Sequence, residues 1–278
     1  MAALRQQPSR QFREEVLQAE LELRGLPTRA FQFEEGVRDP RRALVCIAGM
    51  GANGRSFARQ RPLAQRAFVL MLNTPPETPR KLDPLAFAAD SVEDYLEHEG
   101  LELPTLLGSS FGGAVAATIA LRRPDRVRAM VLVSPVLARS QIPLAFPGFV
   151  DVIEAPQPVA ALVAPLAAQL MGGFALDRDG RDEIVREARH FTSTELKRRL
   201  RTLMELDLLP ALRKLELPIL WLHGGRDLLV PWRRARKAAE AIGARRFELI
   251  PGAGHLPYLS HPVEFNQEVF RFLSELDA

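Results

Sequence analysis

Six short apolar runs, separated by helix-like segments, constrain most strongly what this chain can fold into. Several of them are continuously apolar, a pattern typical of strands buried on both faces of a parallel sheet. An earlier run, Arg29–Glu35, alternates and indicates an exposed edge strand. The sequence therefore predicts an α/β fold with a mostly parallel central sheet flanked by helices. The six runs are Ala43–Ile47, Phe68–Leu72, Pro104–Leu107, Ala129–Val133, Ile219–Leu222 and Phe247–Ile250.

One connection is far longer than the others. About 85 residues separate Val133 from Pro218, whereas an ordinary crossover needs about a dozen. Helical patterns occur at Val159–Leu170, Arg181–Phe191 and Thr194–Leu206, and in the second of these Asp182 and Arg186 are spaced i,i+4, as on a solvated face. We expect residues 136–210 to form a helical cap over a core made of residues 1–135 and 211–278. The first twenty residues resemble a charged amphipathic helix outside that core.

The composition excludes several classes of protein. The chain has 278 residues, of which 47% are hydrophobic and 26% charged. It is long and apolar enough to bury a large core without disulfides or a structural metal ion. The single cysteine, Cys46, excludes an internal disulfide and a cysteine-rich zinc site. The five histidines lack metal-binding H-x-x-x-H spacing, so we expect no metal and no cofactor.

Charge and hydropathy also bear on partners and compartment. A net charge of +3 does not indicate a nucleic-acid partner, and the basic runs Arg233–Lys237 and Arg245–Arg246 are typical of a solvated helix face. The uncharged stretch Ala155–Leu176 is interrupted by three prolines, which favours a helix packed in the cap or core over a membrane span. The N-terminal residues have no apolar core of a signal peptide, so we expect a cytoplasmic protein.

A glycine-flanked serine lies where a strand is expected to turn into a helix. Residues 108–112 read G-S-S-F-G, which matches G-x-S-x-G with Ser110 at its centre. A nucleophile on such a sharp turn has a strained backbone, and glycines two residues away on either side avoid a collision. The neighbouring Ser109 is a weaker candidate, because a G-x-S-x-G motif centred on it would need glycines at the positions of Leu107 and Phe111. Ser110 is therefore the predicted nucleophile.

A serine nucleophile needs a base, and the base needs an orienting carboxylate. His255 follows the last strand-like run, at the sheet edge where it could reach Ser110. His261 precedes a proline at the start of the final helix and is the alternative base. Asp227 lies in the loop after Ile219–Leu222, at the same edge, and its alternative role is to cap a turn. The loop Ser134–Pro135, after the preceding strand, contains no carboxylate.

The loop after Ala43–Ile47 is rich in glycine. It reads A-G-M-G-A-N-G over residues 48–54 and could direct a backbone N–H towards Ser110 to stabilise an oxyanion. Its glycines also match G-x-G-x-x-G, so a dinucleotide-binding loop is the alternative.

Together these motifs resemble the α/β-hydrolase superfamily, in particular its capped, lipase- or esterase-like members. The resemblance covers roughly residues 40–278, with AGMG at 48–51, GSSFGG at 108–113, LPILWLHGGRDLLVP at 217–231 and GAGHLPYLSHP at 252–262. It implies Ser110 as nucleophile, Asp227 as acid and His255 as base, in the chain order usual for the fold. It also implies an oxyanion hole formed by the N–H groups of Met50 and Phe111. The chain departs from the family pattern at Ala48, at Ser109 and over residues 73–79.

The resemblance implies a serine hydrolase that cleaves carboxylic esters of small, mainly apolar substrates through an acyl-enzyme on Ser110. C–C bond hydrolases, thioesterases, aminopeptidases, hydroxynitrile lyases and perhydrolases use the same residues and remain alternatives. A third possibility is a non-catalytic binding module, although such modules commonly lose a triad member. A serine at the turn argues against haloalkane dehalogenases and epoxide hydrolases, which use a carboxylate nucleophile.

Overall fold

The computed structural model describes residues 16–23, 26–143, 171–173, 175–188 and 190–278. Within them, eight strands form one sheet in the order β1-β2-β4-β3-β5-β6-β7-β8. Strands β3 to β8 are mutually parallel where they pair, whereas β2 is antiparallel to both β1 and β4. The strands are β1 (Val16–Leu23), β2 (Leu26–Phe33), β3 (Ala43–Ile47), β4 (Phe68–Leu72), β5 (Thr105–Ser109), β6 (Ala129–Val133), β7 (Ile219–Gly224) and β8 (Arg246–Ile250).

Helices cover both faces of this sheet, and six of those described follow predicted segments to within a few residues, whereas the short helices α5 and α7 were not predicted. They are α1 (Pro84–His98), α2 (Phe111–Arg122), α3 (Arg178–Ala188), α4 (Ser193–Glu205), α5 (Leu209–Leu212), α6 (Trp232–Ala241), α7 (Pro257–Ser260) and α8 (Pro262–Leu276). Short 3-10 segments add Pro40–Arg42, Gly54–Gln65, Pro124–Arg126 and Arg139–Gln141. The predicted α/β fold with a mostly parallel sheet is confirmed.

The core consists of two layers, one on each face of the sheet. In β3, Val45 and Ile47 pack towards the layer that contains α1 and α2, while Leu44 and Cys46 face the layer that contains α8. The central strands β3, β5, β6 and β7 are buried along their whole length. This arrangement explains why their sequences are continuously apolar rather than alternating.

Two expectations about the N-terminal region are wrong. Residues 16–20 belong to strand β1, not to an amphipathic helix, and β1 pairs with β2 from Val16 opposite Phe33 to Leu23 opposite Leu26. The sequence VLQAELEL alternates with a period of two, which suits a strand at the rim of a sheet. The alternating run around residues 29–33 is therefore not the sheet edge, because β1 covers it.

The long connection after β6 supplies α3 and α4. Helix α4 packs against α1, and Thr202 on α4 donates a hydrogen bond to the Asp83 carboxylate at the start of α1 (3.1 Å). The predicted helix at 159–170 and most of the uncharged stretch 155–176 lie outside the described residues. In the described part of the chain, no helix is both long and apolar enough to cross a membrane.

Candidate active site

Ser110 stands at the junction of β5 and α2 with a strained backbone. Its φ of 52° and ψ of −114° lie in a region that side-chain-bearing residues rarely adopt. Such a conformation costs on the order of 1–3 kcal/mol and persists only where the surrounding structure enforces it. The Ser110 N–H donates to the Val133 carbonyl of β6 (2.9 Å), which fixes the turn to the neighbouring strand.

Two glycines make this turn possible. A Cβ at Gly108 would overlap the carbonyl of Gly112, and a Cβ at Gly112 would overlap the carbonyls of Ile47 and Ala48 at the end of β3. The turn is therefore packed directly against the loop that follows β3. This is the collision that the G-x-S-x-G spacing predicted.

The glycine-rich loop after β3 lies beside the serine. A Cβ at Gly49 would stand 3.2 Å from the Ser109 carbonyl oxygen and 3.4 Å from the Ser110 Cβ. Met50, the next residue, lines the same space as Ser110. Phe111 is the first residue of α2, so its N–H has no intrahelical acceptor. The two backbone groups predicted to bind an oxyanion thus flank Ser110.

Asp227 is buried in the loop after β7. Its Oδ1 accepts hydrogen bonds from the N–H groups of Leu229 and Val230, both at 2.9 Å, and its Oδ2 lies 2.7 Å from His255 Nδ1. Burial alone would raise the pKa of this carboxyl. The charge and hydrogen bond of His255, with smaller contributions from His223 and the Val230 N–H, outweigh burial and hold that pKa below its usual value. Asp227 is therefore an anion at neutral pH.

His255 links this anion to the space around Ser110. Its backbone N–H donates to the Met171 carbonyl (2.6 Å), and its Nδ1–H is directed at Asp227. With Nδ1 as the donor, Nε2 carries the lone pair that can accept a proton. His255 and Ser110 line the same two cavities.

His223 is a buried neighbour of this pair that the sequence analysis did not select. Trp221 Nε1 lies 3.4 Å from His223 Nδ1, while His223 Nε2 lies 2.8 Å from the Val230 carbonyl oxygen and 3.3 Å from Asp227 Oδ2. These contacts indicate a neutral ring with its proton on Nε2. Burial lowers the pKa of the His223 ring, with a smaller electrostatic contribution from His255, despite the nearby Asp227 carboxylate. The Nε2–H of His223 therefore donates to the Val230 carbonyl, and the ring lies beside the Asp227 carboxylate without a net charge.

Two cavities meet at Ser110, and Met50, Met171 and His255 are common to both. One, which we call the apolar cavity, is otherwise lined among the described residues by aliphatic side chains. The other, which we call the acidic cavity, contains two carboxylates of α3, Glu183 and Glu187. The aliphatic residues of the apolar cavity are Val136, Ile142, Leu200, Leu203, Leu229 and Val230.

Glu187 has an unusual environment for a glutamate on a charged helix. Its side chain is 5% exposed, its Oε2 accepts a hydrogen bond from Asn53 Nδ2, and His190 Nε2 lies 3.8 Å from the same oxygen. Burial raises the pKa of Glu187 to about 7, with a further contribution from Glu183. The i,i+4 charges of this helix predicted a solvated face. That reading holds for Asp182, which is 64% exposed, but not for Glu187.

Arg199 on α4 is fully buried, and the sequence analysis did not select it either. Its guanidinium donates to Glu195 Oε1 (2.9 Å), to Thr74 Oγ1 (2.8 Å) and to the Pro75 carbonyl. It also lies 4.9 Å from the ring centroid of Phe111. Arg199 therefore ties the helix that carries Leu200 and Leu203 to the loop after β4 and to the residue that follows Ser110.

The remaining candidates lie away from this space. His261 Nδ1 contacts Ser260 Oγ (3.0 Å), and His261 is not among the described residues that line either cavity. Ser109 is the last residue of β5 and is completely buried. No group of three or more His, Cys, Asp or Glu side chains within the described ranges could hold a metal ion.

Comparison with known proteins agrees with the fold. A family model described as the alpha/beta hydrolase fold matches residues 42–262. The chain belongs to the α/β-hydrolase family. An esterase from Rhodococcus sp. ECU1013, known from a crystal structure, shares this fold with a TM-score of 0.75 at 21% identity, over 94% of this chain and 99% of that one.

Curated relatives are named for the hydrolysis of ester and carbamate groups. A pimeloyl-[acyl-carrier protein] methyl ester esterase of Aeromonas hydrophila subsp. hydrophila is 31% identical over 83% of this chain and 94% of its own. A protein of Pseudomonas savastanoi pv. phaseolicola named as a carbamate hydrolase is 26% identical over 83% of this chain and 93% of its own. A bifunctional biotin biosynthesis protein of Teredinibacter turnerae is 29% identical over 68% of this chain, but the match spans only 37% of that protein. These matches support a hydrolase.

The glycine contacts give a first prediction. Gly112→Ala places a methyl group against two backbone carbonyls that cannot move aside, and overpacking of this kind costs about 1–3 kcal/mol. We expect the Tm in a thermal unfolding experiment to fall by roughly 3–10 °C. Gly225→Ala is the control, because its added Cβ would meet only ordinary contacts of 3.4 Å or more. Equal Tm values for the two variants would contradict the packing described here.

The environment of Glu187 gives a second prediction, on pH. A carboxyl whose pKa is raised from 4.5 to about 7 contributes most to stability below pH 4.5, and the contribution is lost as the pH rises through 7. The Tm of Glu187→Gln minus the Tm of the wild type should therefore be larger at pH 8 than at pH 5, by about 2–6 °C. Asp182→Asn, on the exposed side of the same helix, should show no such pH-dependent gain. A Tm difference between Glu187→Gln and the wild type that is equal at both pH values, or larger at pH 5, would refute the prediction.

Proposed function

We propose that this protein is a serine hydrolase that cleaves carboxylic esters through an acyl-enzyme on Ser110. The observation that carries the proposal is the buried Asp227–His255 pair, joined at 2.7 Å, which opens onto the cavities that Ser110 lines. The strained turn at Ser110 supports it, because strain of this kind clusters at active sites. The ester-cleaving names of relatives and of structural neighbours support the choice of bond.

In the proposed acylation step, His255 Nε2 accepts the proton of the Ser110 hydroxyl as Oγ attacks the ester carbonyl. The N–H groups of Met50 and Phe111 donate hydrogen bonds to the oxyanion of the tetrahedral intermediate. When the intermediate collapses, the bond to the alcohol oxygen breaks and His255 returns the proton to the departing alcohol. The acyl group is then held on Ser110 as an ester.

Deacylation repeats these steps with water. His255 accepts a proton from water while the water oxygen attacks the acyl carbonyl, and Ser110 leaves with the proton that His255 returns. In both steps the ring is transiently an imidazolium, and the Asp227 anion stabilises it. The backbone N–H groups of Leu229 and Val230 keep Asp227 ionised and oriented during that time.

We propose further that the acyl chain lies in the apolar cavity. Its described lining outside the catalytic residues is aliphatic, so a methylene group placed there leaves water without losing a hydrogen bond. Burial of each CH₂ contributes about 0.8 kcal/mol, nearly a factor of four in kcat/KM. A charged chain would lose its hydration without gaining a partner. Short-to-medium neutral acyl esters are the expected substrates.

The long connection after β6 is the proposed cap, residues 136–210, over a core of residues 1–135 and 211–278. Helices α3 and α4 support this division, because they supply Ile184 to the acidic cavity and Leu200 to the apolar cavity. The thiol of Cys46 is free and buried, which suits a reducing compartment, and we place the enzyme in the cytoplasm.

Replacement of the two adjacent serines tests the proposed nucleophile. Ser110→Ala should lower kcat/KM for p-nitrophenyl butanoate by about 10⁴-fold or more, since it removes the group that forms the acyl-enzyme. Ser109→Ala is the matched control, because Ser109 is buried in the strand, and it should keep activity within about threefold if the Tm is maintained. Loss of activity in the Ser109 variant alone would reverse the assignment.

The choice of cavity is tested with p-nitrophenyl esters from acetate to palmitate, together with the hemisuccinate. We expect kcat/KM to rise over the first few carbons and then fall, with the hemisuccinate poor. Leu200→Phe, which narrows the apolar cavity, should move the optimum to shorter chains, whereas Ile184→Phe, which narrows the acidic cavity, should leave it unchanged. A flat profile, a preference for the hemisuccinate or a shift with Ile184→Phe alone would show that the acyl chain does not lie in the apolar cavity.

A further inference from the structure

The two cavities that meet at Ser110 differ in charge. The apolar cavity has no lysine, arginine or carboxylate among its described lining residues, whereas the acidic cavity contains Glu183 and Glu187, one helical turn apart on α3. An ester bound at Ser110 extends on both sides of its carbonyl carbon. The chemical difference between the cavities therefore distinguishes the two ends of a substrate.

The carboxylate of Glu187 is buried and only partly satisfied. Its hydrogen bond from Asn53 and its contact with His190 both involve Oε2, and no described residue donates to Oε1. A carboxylate can accept about four hydrogen bonds, so Glu187 can accept more than its described neighbours donate. The side chain is 5% exposed and lines the cavity that contains the nucleophile, so a bound substrate can reach the second oxygen.

The charges around Glu187 favour a cation as the missing partner. Glu183 adds a second carboxylate to the same cavity. It forms an ion pair with Arg186 (3.0 Å), whose side chain is 49% exposed. Arg55 and His190 are the other charged or titratable groups that act on Glu187. Burial nonetheless outweighs their effect and raises the pKa of Glu187 to about 7. An ammonium group beside Oε1 would supply both the positive charge and the hydrogen bond that these neighbours do not.

We propose that the acidic cavity binds a protonated amine of the substrate through the Glu187 carboxylate. The preferred substrate is then an ester with one apolar end and one end that carries an ammonium group a few bonds from the ester. This inference rests on the proposed function, because it assigns the second end of the ester that Ser110 attacks. A metal cation is a poorer match, since the described part of the chain has no group of three or more His, Cys, Asp or Glu side chains that could hold one.

The test uses two pairs of esters in which a protonated dimethylamino group replaces an isopropyl group of the same shape. On the alcohol side the pair is 2-(dimethylamino)ethyl butanoate and 3-methylbutyl butanoate. On the acyl side it is ethyl 4-(dimethylamino)butanoate and ethyl 5-methylhexanoate. The ratio of kcat/KM for amine to neutral ester is measured at about pH 7.5 in the wild type, in Glu187→Gln and in Asp182→Asn. Thermal unfolding verifies that each variant is folded.

In at least one pair the wild type should prefer the amine ester by about tenfold or more, as for a hydrogen-bonded ion pair in a buried site. The ratio should fall to about one in Glu187→Gln, which keeps the shape of the side chain but not its charge, and it should persist in Asp182→Asn. The alcohol-side pair is the one expected to respond, because the acyl chain is assigned to the apolar cavity; a response of the acyl-side pair alone would place the acyl chain in the acidic cavity and contradict that assignment.

Two results would overturn the inference, and they differ in what they say about the proposed function. If the neutral esters are cleaved in a Ser110-dependent reaction but neither amine ester is preferred, or the preference survives in Glu187→Gln, the amine site is wrong and the serine hydrolase stands. If none of the four esters, nor p-nitrophenyl butanoate, is cleaved, both proposals fail together.

Discussion

The hydrogen bond between Asp227 and His255 is the interaction on which the rest of the site depends. It joins the loops after β7 and β8, and it keeps an anion in an interior that would otherwise neutralise it. The backbone N–H groups of Leu229 and Val230 donate to the other oxygen of the carboxylate, and the neutral ring of His223 packs beside it. A buried charge of this kind is tolerated only when it is fully paired. The contacts around Asp227 thus favour a single tautomer of His255, with the proton on Nδ1.

The fold brings Ser110 to this pair by backbone packing. Adjacent parallel strands end at one edge of the sheet, so the loops after β3, β5, β7 and β8 converge there. The turn at Ser110 closes because Gly108 lacks a side chain, and it fits against the end of β3 because Gly112 lacks one. The cavity walls depend on a separate element, since buried Arg199 ties α4 to the loop after β4 and to Phe111. The position of Ser110 and the walls of the apolar cavity are thereby set by different parts of the chain.

Local patterns in the sequence were sufficient to predict strands β3 to β8 and the loops that carry Ser110, Asp227 and His255, but not strand β1. The continuous apolar runs predicted buried strands, and the glycine spacing predicted the turn. Features that arise only from tertiary contact could not be predicted. The i,i+4 charges of α3 indicated a solvated helix, and nothing local shows that Asn53 approaches Glu187 from 134 residues away. The role of His223 likewise depends on its contacts with Trp221 and Val230 in the folded protein.

The turnover of Asp227→Asn tests most directly whether Asp227 orients His255 for catalysis. If Asp227 orients His255 and stabilises its charged form, kcat for p-nitrophenyl butanoate should fall by about 10⁴, the effect of leaving the wrong tautomer of the base. Asp207→Asn, a change of the same type at a loop aspartate that caps Leu209, should leave kcat within about threefold of the wild-type value. Near-normal kcat in a folded Asp227→Asn enzyme would contradict this role and would point to another carboxylate, such as Asp151 or Glu154, which lie outside the described residues.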